Sequence, residues 1–134
     1  MRLKNYGPGE ALDRLTILSL KVLFGAEAGK DTAHFRAEQV VLLTELRAQN
    51  HLAAYLEDAL SLAAVNAALW HAEDDLRDLR VNYTAPDSTE VALLAFRIQA
   101  LNDQRAVLVE SINKATGNHI GTEKSHVPSP SLDS

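Results

Sequence analysis

The stretch "NAALWHAEDDLRDLR" places the only tryptophan of the chain, Trp70, among an asparagine, several acids and two arginines. Carboxylate, guanidinium and amide groups can form an ion-pair network or bind an anion. At about 100° per residue, Asn66, Glu73 and Arg77 fall on the apolar side of the helix that this stretch predicts. Glu73 and Arg77 also form an acid–base pair in the favourable i, i+4 order. The stretch therefore predicts a polar cluster facing the core.

Another arginine, Arg105, lies at the centre of the apolar stripe of the last predicted helix, with Asn102 and Asn113 at one margin. Removing water from an unpaired charge costs several kcal/mol, so we expect Arg105 to be paired. We expect Glu73 to accept hydrogen bonds from Arg105 and Arg77. Asn66 and Asn102 would satisfy the remaining polar groups. The pattern predicts a Glu–Arg–Asn network between the third and fourth helices.

Two interpretations of this network stay open. A buried ion pair can fix the register of packed helices, which is a structural role. Two arginines and several amides around one carboxylate can also open to a cleft and bind a small anion, such as a phosphorylated sugar or a nucleotide. Trp70 is expected to be a wall of the core or cleft, and less so a stacking platform for a sugar or base. The candidate ligand-binding residues are Asn66, Trp70, Glu73, Arg77, Asn102 and Arg105.

Other site chemistries find little support. The chain has no cysteine, which excludes disulfides and zinc–thiolate sites. His71 and Asp75 have a spacing that can share a metal, but both point to the solvated side of their helix. Serine nucleophile elbows, P-loops and dinucleotide fingerprints are missing, and "GPG" at 7–9 is expected to be a turn and helix start. We therefore predict no metal and no cofactor, assign no catalytic residue, and leave open whether the protein is an enzyme.

Composition indicates an all-helical protein. The chain has 134 residues, enough for one domain, and is 46% hydrophobic but only 5% aromatic. Its apolar residues are mostly Leu and Ala, which favour helices over strands. A net charge of −5 argues against nucleic acid as a partner. No apolar run approaches the ~20 residues of a membrane span, and the N-terminus lacks a secretory signal, so a cytoplasmic location is expected.

Periodicity and helix-breaking residues predict four main helices in a mostly antiparallel bundle. One helix from 30 to 85 would be about 75 Å long, so we expect a break near Asn50–His51. Gly25 and Gly117 are expected to end helices, Asp31 or Thr32 to begin one, and the segment around Pro86 to be a loop. Asp87 and Glu90 resemble a capping box. The predicted helices cover about 9–24, 32–49, 54–80 and 88–116, within a domain of 1–117 that is followed by a polar, flexible tail of 118–134.

The first predicted helix is apolar nearly all round. Only Glu10, Arg14 and Lys21 share a narrow polar stripe. A helix of this kind is usually central in its bundle. Its apolar coverage exceeds what three neighbours easily bury, which leaves surface for a partner. We therefore expect contact with another protein or with a second copy in a homodimer.

Three segments, "LDRLTILSLK", "NAALWHAEDDLR" and "ALNDQRAVLVESIN", together resemble a family of small bacterial and phage proteins that contain a helical domain of unknown function. Some of that family are encoded among genes for surface-polysaccharide assembly. The resemblance covers about residues 6–116, and the chain departs from the pattern in its second aspartate, Asp75, and its long tail. It implies a helical fold and a polar cluster but no reaction. The matching positions are Leu12, Asp13, Thr16, Ile17, Leu18, Lys21, Asn66, Leu69, Trp70, Glu73, Asp74, Arg77, Asn102, Asp103, Arg105 and Asn113.

The sequence thus favours a non-enzymatic interaction or structural module. This prediction follows because the sequence contains no complete set of catalytic residues. The alternative is a protein that binds, or acts on, a small anionic ligand at the Glu73, Arg77 and Arg105 cluster.

Overall fold

A computed structural model describes residues 7–48, 52–82 and 88–117, and the side chains within these ranges apart from 52–54, 82 and 88. Helices account for nearly all of these residues, and none of the described residues is in a strand. The predicted all-α fold with four main helices is confirmed. The helices are α1 (Pro8–Glu27), α2 (Ala33–Arg47), α3 (Leu52–Asn82) and α4 (Ser88–Ala115).

The helices begin and end within a few residues of the predicted bounds, but one predicted end residue, Gly25, is wrong. α1 continues past Gly25, and the left-handed backbone conformation falls instead at Gly29, with φ of 73°. Gly117 has φ of 70° and its N–H donates to the carbonyl of Lys114, as expected of a glycine that ends a helix. The prediction that Gly25 ends a helix was therefore wrong, and the prediction for Gly117 is confirmed.

The start of α2 agrees with the sequence. Thr32 is the N-cap residue, and Oδ1 of Asp31 accepts a hydrogen bond from the backbone N–H of Ala33 at 2.9 Å. α2 ends at Arg47 and α3 begins at Leu52, so the chain changes helix in the predicted interval. The predicted break residues, the Pro86 loop, Asp87 of the capping box and the 118–134 tail lie outside the described residues.

α1 occupies the central position, since it packs against α2, α3 and α4. Its residues Ala11, Leu15 and Leu18 meet Leu42 and Leu46 of α2. On another side of α1, Ile17 packs on Leu69 of α3, and Leu12 contacts a cluster formed by Tyr55, Leu62 and Ile112. Burying two sides of one helix explains why its sequence is apolar nearly all round.

A charged pair supports the contact between α1 and α2. Nε of Arg14 lies 2.8 Å from Oε2 of Glu38, and Nη2 lies 3.1 Å from Oε1. The two side chains are only 16% and 25% exposed. The hydrogen bonds from Arg14 hold the pKa of Glu38 below its ordinary value, against the opposing effect of burial.

We expect Glu38→Gln to lower the free energy of unfolding by roughly 1 kcal/mol at about pH 7, because a neutral amide forms weaker bonds with the guanidinium. A carboxylate whose pKa is lowered by folding stabilises the protein only while it is ionised. The difference between wild type and variant should therefore shrink as the pH falls below the ordinary glutamate value of 4.5.

Urea unfolding at a series of pH values measures this difference. Glu45→Gln, at an exposed position of the same helix, is the matched control and should change stability by less than about 0.5 kcal/mol at every pH. A deficit of Glu38→Gln that persists unchanged in acid would contradict the prediction.

Candidate functional site

The polar cluster is centred on Asp13 of α1. Its Oδ1 accepts hydrogen bonds from Nδ2 of Asn66 and from Nε of Arg105, both at 2.8 Å, and its Oδ2 accepts one from Nη2 of Arg105 at 2.6 Å. Asp13 and Arg105 are each 3% exposed, and Asn66 is 0% exposed. The planar fork of the guanidinium thus matches both carboxylate oxygens out of contact with water. One buried carboxylate joins α1, α3 and α4.

Asn66 is held by a second contact with α1. Its Nδ2 also donates to Oγ1 of Thr16 at 2.7 Å, and this hydroxyl in turn donates to the backbone carbonyl of Asp13 at 2.8 Å. Both N–H groups of the amide are therefore used. The amide oxygen, Oδ1, is a buried atom that receives no hydrogen bond from the described residues.

A second polar cluster ties the start of α1 to the end of α4. Oδ1 of Asn113 accepts a hydrogen bond from the backbone N–H of Gly9 at 2.8 Å, and its Nδ2 donates to Oε1 of Glu10 at 2.7 Å. The first N–H groups of a helix have no partner within the helix, so Asn113 satisfies one of them from another element. A Cβ atom on Gly9 would lie 2.3 Å from the carbonyl oxygen of Val109, which explains the glycine. "GPG" is thus a helix start that meets α4 closely.

The prediction that Arg105 is buried and paired is confirmed, but the carboxylate it contacts in this network is Asp13 rather than Glu73. Glu73 is half-buried. The polar stripe predicted for the first helix contained only Glu10, Arg14 and Lys21 and did not include Asp13. Because that helix has few solvated positions, its other acid, Asp13, had to be paired, although the sequence did not indicate with which cation.

Two predicted members of the cluster lie elsewhere. Arg77 is not on the inner side of α3: its side chain is 48% exposed and forms an ion pair with Asp74 one turn earlier. Asn102 is exposed as well. Phe24, three residues before the end of α1, stacks on Trp70, so Arg77 lies about one turn past the level at which α1 ends. Helical angle alone does not show where a neighbouring helix stops.

Trp70 is a wall of the core, as predicted. Its ring lies 5.3 Å from that of Phe24 at an interplanar angle of 26°, and it packs against the cluster of Ile17 and Leu69. Offset stacking of this kind adds to the free energy of burial. The packing accounts for the aromatic residue without a ligand.

A cavity of about 410 Å³ lies between the second half of α3 and the first half of α4. Its polar lining consists of Asp75, Asp78, Glu90 and Arg97, and none of the six candidate ligand-binding residues lines it. Three carboxylates and one guanidinium form a surface that repels anions more than it attracts them. The cavity and the predicted anion cluster are therefore separate places.

No group of His, Cys, Asp and Glu side chains in 7–48, 52–82 and 88–117 has the arrangement needed to hold a metal ion. In the same part of the chain, no helix combines the length and the apolar character of a membrane span.

No family model, curated protein or solved structure matches this chain. The resemblance to the bacterial and phage family therefore stays a prediction.

We predict that Arg105→Leu lowers the free energy of unfolding by about 3–5 kcal/mol, because it leaves Asp13 charged and buried without its partner. The double variant Asp13→Leu, Arg105→Leu should be more stable than the sum of the two single effects implies, since no lone charge remains. Urea unfolding of the four proteins measures this coupling.

Arg97→Leu is the matched control, because it removes an exposed arginine from the same helix, and it should change stability by less than about 0.5 kcal/mol. Additive single effects would show that Asp13 and Arg105 do not stabilise each other. If Arg105→Leu does not fold, Arg105→Lys replaces it in the test. Lysine keeps the positive charge but cannot form the two parallel hydrogen bonds of the guanidinium, so its loss of stability should be smaller.

Proposed function

We propose that this protein is a non-enzymatic helical module that acts through protein–protein contact. The observation that supports the proposal is that the reactive polar side chains are buried in the bundle, whereas large apolar side chains are exposed on its surface. The polar groups best suited to chemistry, on Asp13, Asn66 and Arg105, are at most 3% exposed and bond to one another. Large apolar side chains, by contrast, are exposed on the outer side of α4.

Five exposed residues on this side, apolar except for Asp103, form a line that we call the α4 outer stripe: Leu93, Phe96, Ala100, Asp103 and Val107. Leu93, Phe96 and Val107 are 65%, 68% and 68% exposed. The spacing of three and four residues places the members on one side of the helix. Burying one large apolar side chain contributes roughly 1.5–3 kcal/mol, and these three side chains remain mostly exposed to solvent. Contiguous exposed apolar surface is typical of a binding site for another protein.

The buried network supports this role. A binding surface on one helix keeps its shape only if that helix is held firmly by its neighbours. Arg105 and Asn113, on the inner side of α4, attach it to α1 at two levels two turns apart. The internal polar contacts thus present the α4 outer stripe on a rigid support.

The test is site-specific photo-crosslinking from the stripe in the cells that produce the protein. A photoreactive phenylalanine analogue at Phe96 should give a discrete protein adduct, identified by mass spectrometry. The same analogue at Glu45, an exposed position of α2, should not give that adduct. Binding of the identified protein to the purified chain should be lost with Leu93→Asp, while the melting temperature stays within about 2 °C of wild type. No adduct specific to Phe96 would refute the proposal.

The alternative, a small-anion binder at the predicted cluster, has weaker support. Asn66 and Arg105 are buried and directed at a carboxylate, and the buried atom of Asn66 that receives no hydrogen bond is an acceptor rather than a donor. If an anion nevertheless binds there, millimolar phosphorylated sugars or nucleotides must raise the melting temperature, because a ligand above its dissociation constant stabilises the native state. We expect no shift from inorganic phosphate, sugar phosphates or nucleotides. A saturable shift that Arg105→Lys abolishes would favour the alternative. The cytoplasmic location stays a prediction.

A further inference from the structure

We infer that the protein bound by the α4 outer stripe places an arginine or lysine side chain in the cavity between α3 and α4. The inference rests on the proposed function and names the chemistry of its partner. It comes from a juxtaposition: Leu93, which is 65% exposed, belongs to the stripe and also lines the cavity. A partner that covers Leu93 therefore lies over the opening of the cavity.

The apolar surface of the stripe continues into the cavity. Leu79 and Leu94 line the cavity together with Leu93, and Leu79 is only 8% exposed. The aliphatic part of a long basic side chain packs on apolar surface of this kind while its charged end stays with polar groups. The cavity volume of about 410 Å³ lies at the small end of the range for ligand pockets, roughly 300–1,000 Å³. The cavity therefore has room for one long side chain.

Carboxylates lie on both walls of the cavity. Asp75 and Asp78 come from α3 and Glu90 from α4, and against them the lining has the guanidinium of Arg97. Three negative charges and one positive charge leave a formal charge of −2. Within 7–48, 52–82 and 88–117, the side chains of Asp75 and Glu90 form no ion pair or hydrogen bond, with Arg97 or with any other residue. Both carboxylates are therefore available to a cation from outside.

Charge complementarity selects a basic side chain over other kinds. An acidic side chain would be repelled by the net negative charge of the lining. An apolar side chain would remove water from the carboxylates and give them no hydrogen bond in return. A guanidinium or an ammonium donates several hydrogen bonds and can contact carboxylates of both helices at once. The stripe thus supplies apolar contact, and the cavity determines which partner is accepted.

The first test uses n-butylguanidinium, which has the charge and the aliphatic part of an arginine side chain. In a ¹⁵N NMR titration of the full chain, it should shift the amide signals of Asp75, Leu79 and Glu90 saturably, with a dissociation constant in the millimolar range. n-Butyrate, which has the opposite charge, should give no saturable shift. The double variant Asp75→Asn, Glu90→Gln should raise the constant for n-butylguanidinium about tenfold or more, because both carboxylates lose their charge.

Two further variants serve as controls. Glu45→Gln, Glu57→Gln removes the same amount of charge from exposed positions of α2 and α3 outside the cavity and should leave the constant unchanged. Arg97→Gln removes a cation of the lining and should lower the constant about threefold, since it removes a repulsion. Circular dichroism checks that every variant is folded.

The second test uses the protein that crosslinks at Phe96. Asp75→Asn, Glu90→Gln should weaken its binding about tenfold or more, and the control pair Glu45→Gln, Glu57→Gln should not. Replacing the arginine or lysine of its contact segment by glutamine should have the same effect on binding to wild type and little effect on binding to the double variant.

Three results would overturn the inference and leave the proposed function intact. They are the lack of a saturable shift with n-butylguanidinium, partner binding that the double variant does not change, and a Phe96 adduct, with another protein or with a second copy, whose contact segment has no arginine or lysine. The lack of any adduct specific to Phe96 would refute the proposed function and the inference together.

Discussion

The bidentate contact between Asp13 and Arg105 is the constraint on which the arrangement of the helices depends. A buried charge is tolerated only when its partner is in place and correctly oriented, so this contact admits one register of α1 against α4. Asn66 donates to the same carboxylate and extends the requirement to α3. The apolar contacts of Ile17, Leu69 and Leu62 supply the driving force for burial but would tolerate sliding by a turn. In this bundle the buried polar groups therefore set the register of the helices, and the apolar side chains supply most of the free energy of packing.

The inside and the outside of α4 are specialised for different tasks. Its inner side carries Arg105, Ile112 and Asn113, all nearly inaccessible to solvent. Its outer side carries Phe96 and Val107, which the monomer leaves in water. A helix apolar on both sides is poorly placed at the edge of a bundle unless something covers it. The buried contacts of α4 hold it against the rest of the bundle. Its exposed apolar residues form the surface that we propose binds another protein.

Much of the fold could be predicted from the sequence because it depends on local signals. Leu- and Ala-rich periodicity, Thr32 and Gly117 set the helices to within a few residues, and the apolar first helix is indeed central. The burial of Arg105 was predictable too, since a lone cation in an apolar stripe must find an anion. Its partner was not, because the choice between Glu73 and Asp13 depends on how α1 crosses the α3–α4 pair. The exposure of Arg77 was missed for a related reason, since the end of a neighbouring helix is not encoded in local periodicity.

The contact between Gly9 and Asn113 spans 104 residues, and that between Asp13 and Arg105 spans 92. Each joins the first helix to the last. During synthesis α1 and α2 emerge together and can pair early, but the N-terminal turn of α1 and its carboxylate have no partners until the chain has been made almost to residue 113. Contacts of such sequence separation form late, after the loop-closure entropy has been overcome. Docking of α4 onto α1 is therefore a late event in folding, and Asp13 has no Arg105 to pair with until then.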